Sequence, residues 1–200
     1  ILDPATKVQM IHRLARVLEA RLNRVDDAVA RYLAILDIDG ENRDAIAQLD
    51  RIFTGLERWG ALVENLRRQI AITAEEQEII ALQYRMGQIY QNNMSNLPQA
   101  IEAYRAILDI DPDHGMTRGA LELIFTEGEH QAEIAAILEP LYQAGRNWEA
   151  LIKLADVKLA ATADVAERLE IIRSTAEICE AQLGDAGQAF YWWLRAYMDD

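Results

Sequence analysis

The segment YLAILDID at residues 32–39 recurs as YRAILDID at residues 104–111, 72 positions further along the chain. The same offset aligns HRLARVLEARLNRVDDA at residues 12–28 with YRMGQIYQNNMSNLPQA at residues 84–100. A chain that repeats itself in this way is typically built from stacked units, because each unit has an apolar side that it cannot bury alone. The sequence therefore predicts a repeat array rather than a globule with one central core.

Each repeated segment has the pattern of two amphipathic helices. In ALQYRMGQIYQNN at residues 81–93, apolar residues recur at helical spacing and polar residues occupy the opposite side. LPQAIEAYRAILDI at residues 97–110 repeats that pattern, and no segment shows the sustained alternation typical of strands. About eleven helices are therefore predicted, and their short links make neighbours antiparallel. They span residues 5–22, 25–38, 42–54, 57–72, 75–93, 97–110, 114–126, 130–144, 147–161, 164–183 and 186–199.

One small or aliphatic residue near the start of each second helix marks the repeat register. These register residues are Ala28, Leu62, Ala100, Ile134, Leu151 and Ala189. Their successive separations are 34, 38, 34, 17 and 38 residues, so the step of 17 corresponds to half a unit, an added single helix near residues 127–150. The predicted units are 5–38, 42–72, 75–110, 114–144 with the irregular half-repeat, 147–161 and 164–199.

Both ends of the chain fit the same register. ILDP at residues 1–4 resembles the close of AILDIDP at residues 106–112, and LRAYMDD at residues 194–200 takes the place of the YRAILDID segment. We therefore expect residues 1–200 to form a single array that belongs to a longer protein. A targeting signal would then lie outside this segment, so the compartment stays open, with the cytoplasm favoured.

The helix pairs resemble the tetratricopeptide repeat family, whose units of about 34 residues carry a weak pattern of W-x2-L-G-x2-Y followed by A, an aromatic residue, A and P. The third unit carries the matching residues Met86, Gly87, Tyr90, Ala100, Tyr104 and Pro112. It departs from the pattern at Gln83, in place of Trp, and at Ile107, in place of a small residue. The resemblance implies an all-α, right-handed superhelix of stacked helix pairs, a solenoid.

In such a stack, small residues permit close approach between helices and aromatic residues fill the space between units. The small residues at the relevant positions are Ala15, Gly87 and Ala176. The aromatic residues that we expect in the core are Tyr32, Tyr104 and Trp193.

Composition and charge limit the classes of partner. With 33 acidic and 20 basic residues, the chain has a formal net charge of −13. A charge of this sign repels nucleic-acid phosphates and anionic membrane surfaces, so neither is an expected partner. No apolar run approaches the roughly 20 residues of a membrane-spanning helix, and membrane insertion is not expected.

The residues that usually carry chemistry are scattered. His12, His114 and His130 lie in different units, and no HExxH, CxxC or glycine-rich phosphate motif occurs. Cys179 occupies a position that we expect to lie in the core, where a thiol is unreactive. The acidic run AEEQE at residues 74–78 begins a predicted helix, where the helix dipole favours carboxylates. We therefore predict no catalytic residue, no bound metal and no cofactor.

The family resemblance implies that a peptide or protein segment binds along a concave side, lined by the first helix of each pair. Most of the residues at these positions are basic or carry amides, so we expect a partner with an acidic segment held by arginines. The predicted partner-binding residues are His12, Arg13, Arg16, Gln48, Arg51, Tyr84, Arg85, Gln88, Gln91, Asn92 and Arg173.

The expected function is that of a non-catalytic scaffold for protein–protein interaction. A structural spacer or oligomerisation module within a larger protein is the first alternative, and an accessory domain of an enzyme is the second. YWWL at residues 191–194 adds a possible interaction surface. There we expect Trp193 in the core and Tyr191 and Trp192 on a stacking face through which the chain self-associates.

Overall fold

The computed structural model describes residues 3–199, with side chains described up to Met198, and this part of the chain is all-α. No strand occurs among the described residues. The eleven helices are α1 Pro4–Ala20, α2 Val25–Leu36, α3 Arg43–Gly55, α4 Trp59–Ile72, α5 Glu76–Gln88, α6 Leu97–Ile110, α7 Gly115–Glu127, α8 Gln131–Ala144, α9 Trp148–Ala161, α10 Val165–Glu177 and α11 Ala186–Asp199. π-Helical turns at Ile89–Asn93 and Ile178–Gln182 continue α5 and α10. With these turns included, every predicted helix end lies within two residues of the observed one.

Short polar side chains define where several helices begin. Asp3 Oδ1 accepts the amide N–H of Thr6 at the start of α1, over 3.0 Å. Asn42 Oδ1 accepts that of Ala45 at the start of α3, also over 3.0 Å. Such a bond satisfies one of the amide groups that a helix leaves without an internal partner at its amino terminus.

The described chain divides into two compact units, one that ends at Ala106 and one that begins at Ile107, so that the division falls inside α6. In the first unit, α1 contacts α2, α2 contacts α3, α3 contacts α4 and α4 contacts α5. In the second unit, the helices from α7 to α11 do the same. Consecutive contacts of this kind are typical of helix pairs that stack in chain order. A single array over residues 1–200 stays a prediction.

The register residues are all buried. Their exposed fractions are 0% for Ala28, 1% for Leu62, 0% for Ala100, 0% for Ile134, 8% for Leu151 and 4% for Ala189. One buried residue near the start of each second helix is what stacked helix pairs require, and it is present on both sides of the step of 17 residues.

A left-handed backbone residue precedes the register residue at a nearly constant distance. Five of the six units have it five positions earlier, with φ between 50° and 65°, at Asn23, Glu57, Ser95, Arg146 and Gly184. The fourth unit differs, because His130 lies four positions before Ile134 and Gly128 adds a second left-handed residue with φ of 90°. The backbone is thus irregular within the segment 127–150, where the sequence predicts an irregular unit.

The first helices of two units end in the same irregular turn. The two π-helical turns begin at Ile89 and Ile178, which are 89 residues apart. In the first turn, the Met94 amide donates to the Ile89 carbonyl over 3.1 Å, and Leu183 does the same to Ile178 over 3.2 Å. Repetition therefore extends to details of backbone hydrogen bonding that apolar periodicity alone does not predict.

The expected close approaches and two of the three expected aromatic core residues are observed. Ala15 and Ala176 are 0% exposed, and so are Tyr32 and Tyr104. Gly87 faces the ring of Tyr104 so closely that a Cβ atom at Gly87 would lie 2.5 Å from Cε1 of the tyrosine. The small residue is therefore required for this helix contact.

The prediction for the two tryptophans is wrong. Trp192 is 3% exposed and belongs to a buried cluster with Cys179, Ala189 and other residues of α9 to α11, whereas Trp193 is 38% exposed. Trp192 lies three residues after Ala189, and this spacing places both side chains on the same side of α11. Trp193 lies on the side that corresponds to the buried Tyr32 of α2, but in α11 that side is exposed.

Candidate functional site

A cleft in the first unit brings together four of the predicted partner-binding residues. It has a volume of about 500 Å³ and lies between α1 and α3. The lining residues are His12, Arg16, Glu19, Ala20, Asp44, Gln48 and Arg51. One wall carries His12, Arg16 and Glu19 of α1, and the other carries Asp44, Gln48 and Arg51 of α3. In both sets the residues are spaced by four and then three positions, which places each set on one side of its helix. We call this the α1–α3 cleft.

An ion pair crosses the α1–α3 cleft. Arg51 Nη2 of α3 donates to Glu19 Oε1 of α1 over 2.5 Å, and it also donates to Gln48 Oε1 over 3.0 Å. Arg16 is exposed and, unlike Arg51, forms no ion pair with a carboxylate within the described part of the chain. One guanidinium group of the cleft is therefore already engaged, while the other remains open to a ligand.

Two polar atoms beneath the cleft are buried without partners. Tyr32 is 0% exposed, and neither its Oη nor His12 Nε2 has a hydrogen-bond partner among residues 3–199. The two rings meet edge to face, with centroids 5.5 Å apart. Burial raises the pKa of Tyr32, the charge of Glu19 raises it further, and Arg51 and Arg16 lower it. A buried donor without a partner is costly, so this position favours any rearrangement that supplies an acceptor.

The equivalent tyrosine in the third unit has its partner. Tyr104 Oη donates to Gln91 Oε1 over 2.9 Å. The 72-residue offset that relates Tyr104 to Tyr32 relates Gln91 to Glu19. The acceptor for Tyr32 is thus present in the sequence, but the Glu19 carboxylate is bound to Arg51 instead.

The guanidinium group of Arg85, which the sequence predicts to bind a peptide, is already bonded to side chains of α3. Its Nη1 and Nη2 donate to the two carboxylate oxygens of Asp50 over 2.8 and 3.0 Å, and Nη2 also donates to Thr54 Oγ1 over 2.9 Å. Gln69 of α4 donates to the same carboxylate. This guanidinium group therefore joins α5 to α3, and the structure favours Arg16 over Arg85 as the anchor for a ligand.

The other predicted residues lie outside the α1–α3 cleft. Tyr84 is half-buried, with its ring centroid 5.8 Å from that of Tyr104. Gln91 is half-buried and accepts the Tyr104 hydroxyl. The remaining predicted residues are exposed; they are Arg13 on α1, Gln88 on α5, Asn92 on the turn after α5, and Arg173 on α10 in the second unit.

Sequence reasoning missed Glu19, Asp44 and the hydroxyl of Tyr32. A signal for the two carboxylates was present, because Glu19 follows Arg16 by three residues and Asp44 precedes Gln48 by four. The repeat offset gave a second signal for Glu19, since it aligns with Gln91. No pattern in the sequence indicated that the Tyr32 hydroxyl lacks a partner, because that depends on which way the Glu19 carboxylate turns.

In a second cleft, which lies in the second unit, the tyrosine hydroxyl already has a hydrogen-bond acceptor. The cleft has a volume of about 350 Å³ and lies mainly between α7, α8 and α9. Tyr142 Oη on its wall donates to Glu122 Oε1 over 2.6 Å. Burial and this bond raise the pKa of Tyr142. Because the internal hydroxyl of this cleft is satisfied, the α1–α3 cleft is the stronger candidate for ligand binding.

The described residues contain neither a cluster of metal-ligating side chains nor a membrane-spanning helix. No group of three or more His, Cys, Asp or Glu side chains among residues 3–199 is placed to hold a metal ion. No described helix combines the length and the apolar character needed to cross a bilayer.

In comparisons with known proteins, no family model matches this chain, and no curated protein matches it.

Proposed function

We infer that this protein is a non-catalytic scaffold of the tetratricopeptide type that binds an extended, acidic segment of another protein, with the α1–α3 cleft as the anchoring site. The proposal rests on an open guanidinium group in the cleft, that of Arg16, together with the buried hydroxyl without a partner of Tyr32, whose ring packs against the cleft residue His12. Stacked helix pairs with a regular register support the choice of a scaffold.

A carboxylate of the partner would bind the cleft through its arginines. Arg16 offers a planar set of donors that matches a carboxylate, and Arg51 offers a second set if it releases Glu19. The released Glu19 carboxylate can then accept from Tyr32 Oη, as Gln91 accepts from Tyr104 in the third unit. Binding therefore exchanges one ion pair for another and gives the buried hydroxyl an acceptor.

The exchange explains why the cleft prefers a ligand with a negative charge. An apolar or basic segment would leave the Glu19–Arg51 pair in place and Tyr32 without a partner. An acidic segment gives Arg51 a new carboxylate partner and frees Glu19 to accept from the Tyr32 hydroxyl. The long-range field of the protein, with a net charge of −13, opposes such a ligand, so recognition depends on contacts at the cleft and not on steering from a distance.

The test uses a fluorescein-labelled peptide of eight alternating Asp and Glu residues, with binding measured by fluorescence anisotropy. Arg16→Glu should weaken binding by about tenfold to a hundredfold, since a charge-assisted contact is worth about 1.5–3 kcal/mol. Arg13→Glu is the matched control, because Arg13 is an exposed neighbour on α1 that does not line the cleft.

Three outcomes separate the alternatives. Weakening by Arg16→Glu but not by Arg13→Glu supports the cleft. Equal weakening by both variants indicates a general electrostatic effect and contradicts the site. A spacer predicts no saturable binding of the peptide by either variant or by the parent chain.

A further inference from the structure

The two walls of the α1–α3 cleft are in register. Glu19 and Arg51, which are bonded across the cleft, lie 32 residues apart in the sequence. α1 and α3 run in the same direction, because the short links on either side of α2 reverse the chain twice. The polar lining residues therefore form three facing pairs, all with the offset of 32 residues. In chain order, the pairs are His12 with Asp44, Arg16 with Gln48, and Glu19 with Arg51.

The second pair presents hydrogen-bond donors to a ligand. Arg16 is exposed and forms no ion pair with a carboxylate within the described part of the chain. The side-chain oxygen of Gln48 already accepts from Arg51 over 3.0 Å, which leaves the N–H groups of the same amide as donors. A guanidinium group and an amide donor therefore face each other, and together they match a carboxylate of the ligand.

The first pair has the opposite character, because it contains a carboxylate without a partner. Asp44 is exposed, and its side chain forms neither an ion pair nor a hydrogen bond among residues 3–199. A ligand that carried only acidic residues would bring a second negative charge close to Asp44, and like charges repel at this range. A basic residue of the ligand at the first pair would be attracted there instead.

The distance between the two pairs suits an extended ligand. Asp44 and Gln48 are four residues apart on α3, which corresponds to about 6 Å along the helix axis. In an extended segment, alternate side chains point to the same side, and two residues span about 6.6–6.8 Å. A ligand with a carboxylate at the second pair therefore places the side chain two positions away at the first pair.

We propose that Asp44 makes the α1–α3 cleft selective for an acidic segment that carries one basic residue, two positions from the carboxylate bound by Arg16. The inference rests on the proposed function and adds the pattern of charges that the partner must carry. Arg16 and Gln48 bind the carboxylate, while Asp44 binds the cation. A basic residue also lessens the repulsion between the segment and the net charge of −13.

The experiment compares two fluorescein-labelled octapeptides by fluorescence anisotropy. The first is the peptide of alternating Asp and Glu residues, and the second has Lys at its fifth position. The second peptide keeps an acidic residue two positions to either side of the lysine, so both chain directions can fit. The parent chain should bind the lysine peptide about threefold to tenfold more tightly, because an ion pair replaces a contact between like charges.

Charge reversal at Asp44 separates this contact from general electrostatics. Asp44→Lys should reverse the preference, so that the all-acidic peptide binds more tightly, and Asp44→Asn should weaken the preference. Glu41→Lys is the matched control, because Glu41 is exposed, precedes the same helix and does not line the cleft. It makes the same change in net charge and should keep the preference of the parent chain.

All three variants should keep the circular dichroism and thermal midpoint of the parent chain. Both side chains are exposed, and the bond from the Ala45 amide to Asn42 at the start of α3 stays intact. Folded variants make the comparison of affinities a comparison of the cleft alone.

The outcomes distinguish this inference from the proposed function. If Asp44→Lys and Glu41→Lys prefer the lysine peptide equally, Asp44 does not select the ligand and the inference is wrong. The proposed function would still stand in that case, provided that Arg16→Glu weakens the binding of both peptides. Absence of saturable binding of either peptide to the parent chain would overturn the inference together with the proposed function.

Discussion

Gly87 and Tyr104 are packed so closely that only a glycine fits. A Cβ atom at Gly87 would lie 2.5 Å from Cε1 and 2.9 Å from Cδ1 of the tyrosine. The ring has little room to withdraw, because Tyr104 is 0% exposed and its hydroxyl is held by Gln91. The approach of α5 to α6 at this point therefore depends on the absence of a side chain.

Gly87→Ala should lower the free energy of unfolding by up to about 2 kcal/mol. Forcing a methyl group into a packed site costs about 1–3 kcal/mol, and the better helix propensity of alanine returns about 1 kcal/mol. Urea denaturation measures the difference. Gly119→Ala in α7 is the control, since a Cβ there meets nothing within 4 Å, and it should raise stability by up to about 1 kcal/mol. Equal gains from both variants would show that the contact is not tight.

Tyr104→Phe and Tyr32→Phe should differ although both rings are fully buried. The first change removes the bond to Gln91 and should cost about 0.5–1.5 kcal/mol. The second removes a hydroxyl that has no partner and should be neutral or stabilising. Paired urea titrations measure both values. A larger loss for Tyr32→Phe would mean that its hydroxyl is bonded in solution.

Stability should fall at alkaline pH through the buried tyrosines. Burial raises the pKa of Tyr104 from 10.0 to about 12. Because the folded value is the higher one, the folded state keeps its proton after the unfolded state has lost it. The stabilisation is complete below pH 10 and is lost as the pH rises towards 12. Tyr104→Phe should reduce the slope of unfolding free energy against pH in this window, and an unchanged slope would contradict the assignment.

Truncation of the two tryptophans of α11 should destabilise the fold to different degrees. Trp192→Ala empties a site that is 3% exposed and should cost about 3–5 kcal/mol. Trp193→Ala removes a side chain that is 38% exposed and should cost less, about 1–2 kcal/mol in the monomer. Thermal and urea unfolding at low protein concentration measure both. A larger loss of stability for Trp193→Ala than for Trp192→Ala would indicate that Trp193 is the buried residue, as the sequence predicts.

Gly184→Ala should destabilise the turn that precedes α11. Gly184 has φ of 65°, where a residue with a side chain pays about 1–2 kcal/mol, partly offset by about 0.4–1 kcal/mol from the stiffer unfolded chain. We expect a net loss of about 0.5–1 kcal/mol. Gly187→Ala, three residues later and inside α11, is the matched control and should be neutral or stabilising. Equal effects from the two changes would argue against the left-handed turn.

The helices and their register follow from the sequence because both rest on short-range spacing of apolar residues. Ala28 and Ala189, for example, are buried as their positions in the repeat predict. The exposure of Trp193 does not follow from the spacing of apolar residues. Its position in the repeat is a core position, but burial there depends on the next helix pair, as the packing of α2 on α3 illustrates.

The candidate site could be predicted only in part. His12, Arg16, Gln48 and Arg51 follow from their positions on first helices, and the structure places them in one cleft. The ion pairs that determine which arginine side chain is available to a ligand cannot be predicted from these positions. Arg51 pairs with Glu19 across 32 residues of sequence, and Arg85 pairs with a carboxylate 35 residues away. Such pairings depend on how neighbouring helices are placed and on side-chain conformation.

An acidic segment that binds the α1–α3 cleft as proposed should draw Glu19 from Arg51 to Tyr32. Nuclear magnetic resonance of the isotope-labelled chain, titrated with the acidic octapeptide, follows both the binding and the movement of Glu19. We expect saturable chemical-shift changes at Arg16, Arg51 and Glu19, together with a slower-exchanging hydroxyl proton on Tyr32. Shifts that are confined to α7 to α11, or that Arg16→Glu leaves intact, would contradict this expectation.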